Sequence, residues 1–247
     1  LCDDQSIMDS DFYVMEFVAG EIFRRDVPEG ITATDVSVMA DSLINGLVQL
    51  HAVDSSILQE LNKGAGYVQR QVEGWSKRYR NALTDDVPAA EKLMAWLAAN
   101  QPDDVDSCII HGDWRIDNVV FDLANARIAG VLDWELATVG DPLMDLGSAL
   151  AYWVDRDDES AFASLRRQPS HLPGMPTREE FLQRYLQLSG RKCADFTFYE
   201  VFGLFRLAVI IQQIWARFRS GQTTNPAFAG FGDAVNTLIN RAEGKIS

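Results

Sequence analysis

Cysteine is scarce in this sequence. Cys2, Cys108 and Cys193 lie far apart along 247 residues, with neither the paired spacing that holds zinc nor an even complement for a disulfide framework. A reducing, cytoplasmic setting is the expectation. Basic residues are short as well: 22 Lys+Arg stand against 36 Asp+Glu, for a formal net charge of -14. Nucleic acids and anionic membranes need a basic footprint, so neither is expected as a partner. No uninterrupted apolar run reaches the ~20 residues of a membrane span, since the longest, residues 201–215, is broken by Arg206 and two glutamines. Internal repeats and low-complexity tracts are lacking too.

What is present is enough apolar material for a core, 47% of residues, over a length that allows one domain or two small ones. Residues 12–18, a β-branched and aromatic run ending at Ala19-Gly20, read as the back half of a hairpin and a connector. Apolar residues at helical spacing predict helices over 34–51, 67–83 and 88–99. The texture then changes to short apolar runs at 108–110, 119–121 and 128–132, which predict strands flanking polar loops. Helical pattern returns at 143–153, at 177–188 behind a Thr177/Glu180 capping box, and at 196–218, with a loop over 155–176.

Chemistry concentrates between residues 111 and 146. His111-Gly-Asp-Trp-Arg-Ile-Asp-Asn118 precedes a strand, and Asp133 follows Asn118 by 15 residues in Val-Leu-Asp-Trp-Glu. Phosphoryl transfer needs a carboxylate to orient the attacking hydroxyl, oxygen ligands for Mg²⁺, and positive charge near the moving phosphate. Asp113 can accept the hydroxyl proton, while Asn118 and Asp133 offer the hard oxygens that Mg²⁺ prefers. Arg115 either faces the transferring phosphate or forms a surface ion pair. His111 and His51 read as satisfied structural histidines, Asp117 as a loop cap, and Trp114 and Trp134 as packing residues. A rival reading uses Asp113, Asp133, Asp141 and Asp145 as the carboxylate cluster of a metal-dependent phosphohydrolase, although two-metal sites recruit more histidines than the single one here. A non-enzyme rival is a pseudokinase-like scaffold that binds nucleotide without transferring phosphate.

The spacing is that of the protein-kinase catalytic loop, with Gly112 where protein kinases carry arginine, which suits a constitutively ordered enzyme acting on small molecules. Together with Gly140-Asp-Pro-Leu-Met-Asp-Leu146, these motifs resemble the aminoglycoside phosphotransferase family, which includes choline and homoserine kinases. Within it, the Asp-Trp-Glu and Gly-Asp-Pro wording is most similar to the phosphotransferases associated with acyl-CoA dehydrogenases, which act on hydroxyacyl-CoA. The resemblance implies an α+β, protein-kinase-like fold: a hairpin and hinge remnant of the small lobe over 1–20 and a mostly helical large lobe over 21–247. It implies ATP or GTP with Mg²⁺, and a small-molecule hydroxyl acceptor. Backbone groups of Glu16 and Val18 would bond the adenine edge with Met15 packed behind it, and Asp145 would hold the catalytic-loop backbone. Tyr199, Arg206 and Arg217 lie where family members build the acceptor pocket, with core packing as the alternative. The family's phosphate-covering loop, strand lysine and partner glutamate would all precede Leu1, so the chain is expected to be a fragment of a longer enzyme.

Overall fold

The computed structural model describes residues 2–103 and 107–246. Among these, the helices in chain order are α1 (Gln5–Met8), α2 (Ala33–His51), α3 (Tyr67–Ala82), α4 (Glu91–Ala99), α5 (Pro142–Ala151), α6 (Ser160–Ala163), α7 (Arg178–Ser189), α8 (Thr197–Arg219) and α9 (Phe231–Gly244). The strands are β1 (Cys108–Ile110), β2 (Val119–Asp122), β3 (Arg127–Val131) and β4 (Thr138–Gly140), set between α4 and α5.

Helix α2 starts at a capping box in which Thr32 accepts from the Asp35 amide and Asp35 accepts from the Thr32 amide. Its Val36, Met39, Leu43 and Leu47 recur every three or four residues and are buried, with Ile44 beside them, so one stripe of the helix carries the burial. Removing each such side chain from water contributes about 1.5–3 kcal/mol. Helix α5 is buried along its whole length and is capped by Asp141, whose carboxylate accepts from the Leu143 and Met144 amides. It crosses α8 backbone to backbone: a Cβ added at Gly203 would lie 2.1 Å from the Gly147 carbonyl oxygen, and one added at Gly147 would lie 2.3 Å from that of Tyr199. No larger side chain fits that crossing. By length and hydropathy α8 is able to cross a membrane, yet 61% of its apolar window is packed inside the fold.

The four strands form two antiparallel pairs, β1 with β4 and β2 with β3. The segment joining β1 to β2 holds residues 111–118, and the segment joining β3 to β4 holds Asp133. Two short strand pairs thereby carry two loops to one place.

The amino-terminal segment departs from the sequence expectation. Residues 12–18 form no strand; one isolated antiparallel bridge, Cys2 with Phe12, closes the segment, and a second joins Glu21 to Phe121 on β2. A strand is a property of a pair of chains rather than of one apolar run, and these residues have a partner at one position alone. Side chains of Tyr13, Val14, Met15 and Phe17 are exposed, while Val18 packs over Gly130 of β3, where an added Cβ would approach the Val18 side chain to 3.1 Å.

Candidate active site

Leu132, the residue before Asp133, ties the two loops together. Its amide donates to the Asn118 carbonyl at 2.8 Å, and its own carbonyl accepts from Nε2 of His111 at 2.9 Å. Asp133 is therefore delivered beside the segment that holds Asp113 and Asn118. It sits in the left-handed region (φ 67°, ψ 52°), a conformation that aspartate tolerates better than most residues but that still stores strain, a feature that clusters at functional sites.

Within residues 111–118 six backbone groups are held by side chains. His111 donates from Nε2 to Leu132, so Nδ1 is left to accept the Asp113 amide at 3.2 Å; those two partners set the tautomer. Asp145 of α5 accepts from the amides of His111 (3.0 Å) and Gly112 (2.9 Å). Arg206 of α8 donates to the Gly112 carbonyl at 2.6 Å, and Gln168 accepts from the Ile116 amide at 3.1 Å. Asn118 donates from Nδ2 to the carbonyl of Asp113 (2.9 Å) and to its Oδ2 (3.1 Å). With that amide nitrogen committed, Oδ1 is the atom of Asn118 left to face a ligand. Gly112 has φ 79°, and a Cβ there would come within 2.8 Å of the Leu136 carbonyl, so the turn admits no side chain whatever the loop's regulation.

Asp145 is fully buried, and its carboxyl is the junction of a longer chain: Oδ2 also meets Nε2 of His51 at 3.2 Å, and Nδ1 of His51 meets the Tyr185 hydroxyl at 2.6 Å. Burial pushes its pKa up, but the His51 hydrogen bond and charge, together with the two loop amides, outweigh that and hold it below the usual carboxylate range.

Asp113 is mostly buried and lies 3.3 Å from Nε of Arg115, whose Nη2 reaches Asp117 at 3.3 Å and whose guanidinium lies 4.8 Å above the Tyr152 ring. Arg115 is thus drawn between two carboxylates rather than extended into solvent. Glu135 hydrogen-bonds Asp133, and that bond together with the charges of Asp133 and Asp113 pushes its pKa up. The charges of Asp113 and Asp133 both reach Glu135, and a cation bound between the two loops would offset that repulsion. The donor set fits Mg²⁺, since Asp133 supplies an anionic oxygen and Asn118 a neutral amide oxygen.

The phosphohydrolase cluster is not assembled. Asp141 is spent on capping α5 and Asp145 on the loop amides and His51, and among the described residues no group of three or more His, Cys, Asp or Glu side chains is placed to hold a metal ion. Toward the amino terminus, Met15 is more than half exposed. Among the described residues, no backbone-to-backbone hydrogen bond engages Glu16 or Val18. Gln168 was not legible as a site residue, because a single glutamine in a loop carries no periodicity or motif. Arg206 is buried against Trp75 and bonded to the loop, as the packing alternative expects.

Beside Gly112 and Glu135 opens a cavity of about 460 Å³ lined by Lys63, Arg70, Arg78, Arg206 and Trp75. Trp75 is flanked by two guanidiniums, those of Arg78 at 4.5 Å and Arg206 at 5.1 Å, each attracted to the ring. Among the described residues none of the four cations is ion-paired to a carboxylate, and Arg70 instead donates to the carbonyls of Gly64 and Ala65. In a chain of net charge -14, this is a local reversal of sign.

Comparison with known proteins places this geometry in a family. The model of the phosphotransferase enzyme family matches residues 1–181. The chain is 35% identical over 249 residues to mouse acyl-CoA dehydrogenase family member 10, covering 98% of this chain and 23% of that protein. It is 34% identical over 247 residues to human acyl-CoA dehydrogenase family member 11, covering 96% and 31%. The chain therefore spans 23–32% of the length of the curated relatives it matches. Among solved structures, a candidate aminoglycoside phosphotransferase from Ralstonia eutropha superposes with TM-score 0.84 at 31% identity, over 99% of this chain and 75% of that one. An aminoglycoside phosphotransferase in ternary complex with AMP-PNP and hygromycin B shares the fold, with TM-score 0.56 at 17% identity over 91% of this chain and 70% of that one. The kinase-like architecture, the two joined loops and the matched family model lead to one conclusion: this chain belongs to the phosphotransferase enzyme family, with the fold of its small-molecule phosphotransferases.

Proposed function

We propose that this chain is the catalytic lobe of a cytoplasmic phosphotransferase that uses ATP or GTP with Mg²⁺ and moves the γ-phosphoryl group to a small-molecule hydroxyl. The observation that carries the reading is the double tie of Leu132 to Asn118 and His111, which sets Asp133 beside Asp113. In this reading Asp113 accepts the proton of the acceptor hydroxyl as its oxygen bonds to the γ-phosphorus and the bond from that phosphorus to the departing nucleoside diphosphate breaks. Arg115, ion-paired to Asp113, presents positive charge to the phosphoryl oxygens. Asn118 and Asp133 hold the metal, which when bound neutralises phosphate charge and aligns the chain of phosphates. Glu16 and Val18 offer backbone groups to the base, with Met15 closing over it, and Asp145 and His111 keep the loop in register.

For the acceptor, the four cations beside Gly112 favour an anionic molecule over a polycationic aminoglycoside. A hydroxyacyl-CoA, with its phosphates, fits that charge and agrees with relatives named as acyl-CoA dehydrogenase family members. Asp133→Ala is expected to abolish Mg²⁺-dependent nucleotide binding in titration calorimetry; normal affinity for the magnesium nucleotide in that variant would remove Asp133 from the metal site.

A further inference from the structure

A second cavity, of about 570 Å³, lies beside the catalytic loop on the Arg115 and Asp117 side, and it has a different character. Its walls are apolar, built from Leu207, Ile211 and Ile214 of α8, Phe231 of α9, and Phe162 and Leu165 around α6. Its mouth carries Arg24, Arg25 and Arg167, all exposed and none ion-paired to a carboxylate among the described residues. Asp117 lines the same cavity, ion-paired to Arg115 and within electrostatic reach of Arg24. At the catalytic-loop end, Oδ1 of Asp117 is buried without a hydrogen bond, an arrangement that costs free energy unless a ligand donor or water meets it. The volume falls within the range of small-molecule sites.

An apolar chamber lined by four arginines and one carboxylate carries an excess of positive charge and selects one chemical class. A neutral apolar ligand would leave the excess positive charge of Arg24, Arg25 and Arg167 unbalanced, and a cationic one would be repelled. A polyanion without a chain would leave the isoleucine and phenylalanine walls wet. We infer that this cavity binds a single-chain amphiphile with an anionic head, the alkyl chain against α8 and α9 and the head at Arg24, Arg25 and Arg167. Such a chain can come from a free alkyl carboxylate or from the acyl end of a coenzyme A thioester. Binding requires neither nucleotide nor acceptor hydroxyl, so it stands or falls separately from the transfer reaction.

The test is titration of the chain with decanoate, decanol, decyltrimethylammonium and decanoyl-CoA, each below its micellar concentration. Decanoate is expected to bind saturably at one site, with decanol about tenfold weaker and the ammonium compound weaker still. If decanoyl-CoA alone binds, the source is the thioester; if decanoate binds as well or better, it is the free acid. Ala227→Trp fills the cavity from an exposed position and should remove binding, and Arg167→Glu should weaken it about tenfold while circular dichroism reports an intact fold. Arg78→Glu, in the other cavity, should leave decanoate affinity unchanged. Equal affinity for decanoate and decyltrimethylammonium, unchanged affinity in both Ala227→Trp and Arg167→Glu, or no binding of any of the four compounds would overturn the inference.

Discussion

Asp113→Ala is expected to slow phosphoryl transfer by the complete enzyme ~10²–10⁴-fold, the span usual for loss of a general base. Nucleotide affinity should change little, because Asp113 is not among the proposed metal ligands. The size of the effect follows from position: the carboxylate is fixed from three directions, by its own amide on His111, by Asn118 on its carbonyl and Oδ2, and by Arg115 at 3.3 Å. A base so held needs little reorganisation when the hydroxyl arrives. Steady-state kinetics showing an unchanged kcat would take Asp113 out of the reaction.

The second large effect concerns stability. Asp145→Ala leaves three donors facing an empty space: the His111 amide, the Gly112 amide and His51. Breaking a buried pair by removing one partner costs about 3–5 kcal/mol, a large share of the ~5–15 kcal/mol that holds an ordinary domain together. Asp145→Asn should not rescue it, since the amide would turn an NH₂ toward one of those donors. The carboxyl's lowered pKa adds an acid-side signature. Its contribution is fully present above the unfolded-state value and is lost as pH falls through the lower folded-state value. Urea unfolding at neutral pH reports the difference, and a midpoint equal to that of the natural protein would contradict the support role.

The residues proposed to carry the chemistry were legible as a group because Asp113 and Asn118 sit in one contiguous motif and Asp133 a fixed distance downstream, and the structure joins the two loops that hold them. Helices with strong caps were equally plain: Thr177 and Glu180 form the capping box that their spacing implied. Structure that depends on distant partners was not legible. Residues 12–18 have strand composition and almost no strand neighbour, so composition misled there. Strand β4 is three residues long and exists through its pairing with β1, while α9, with its mixed and glycine-flanked composition, carried no clear signal. The same limit hid the loop's supports, because Gln168 reaches Ile116 across 52 residues and His51 reaches Asp145 across 94. The cationic cavity was hidden by an average: a net charge of -14 describes the whole surface and says nothing of Arg70, Arg78 and Arg206 converging beside Gly112.

The most direct check on the central claim is to run the complete enzyme with magnesium nucleotide and a panel of hydroxyacyl-CoA, aminoglycoside and amino-alcohol acceptors in ¹⁸O-enriched water, and to read the phosphorylated products by mass spectrometry. Transfer to a hydroxyl predicts an acceptor carrying a phosphoryl group free of ¹⁸O, formed with the hydroxyacyl-CoA and lost in Asp113→Ala. Inorganic phosphate enriched in ¹⁸O with every acceptor left unmodified would mean that water is the nucleophile and that the chain is not a phosphotransferase lobe.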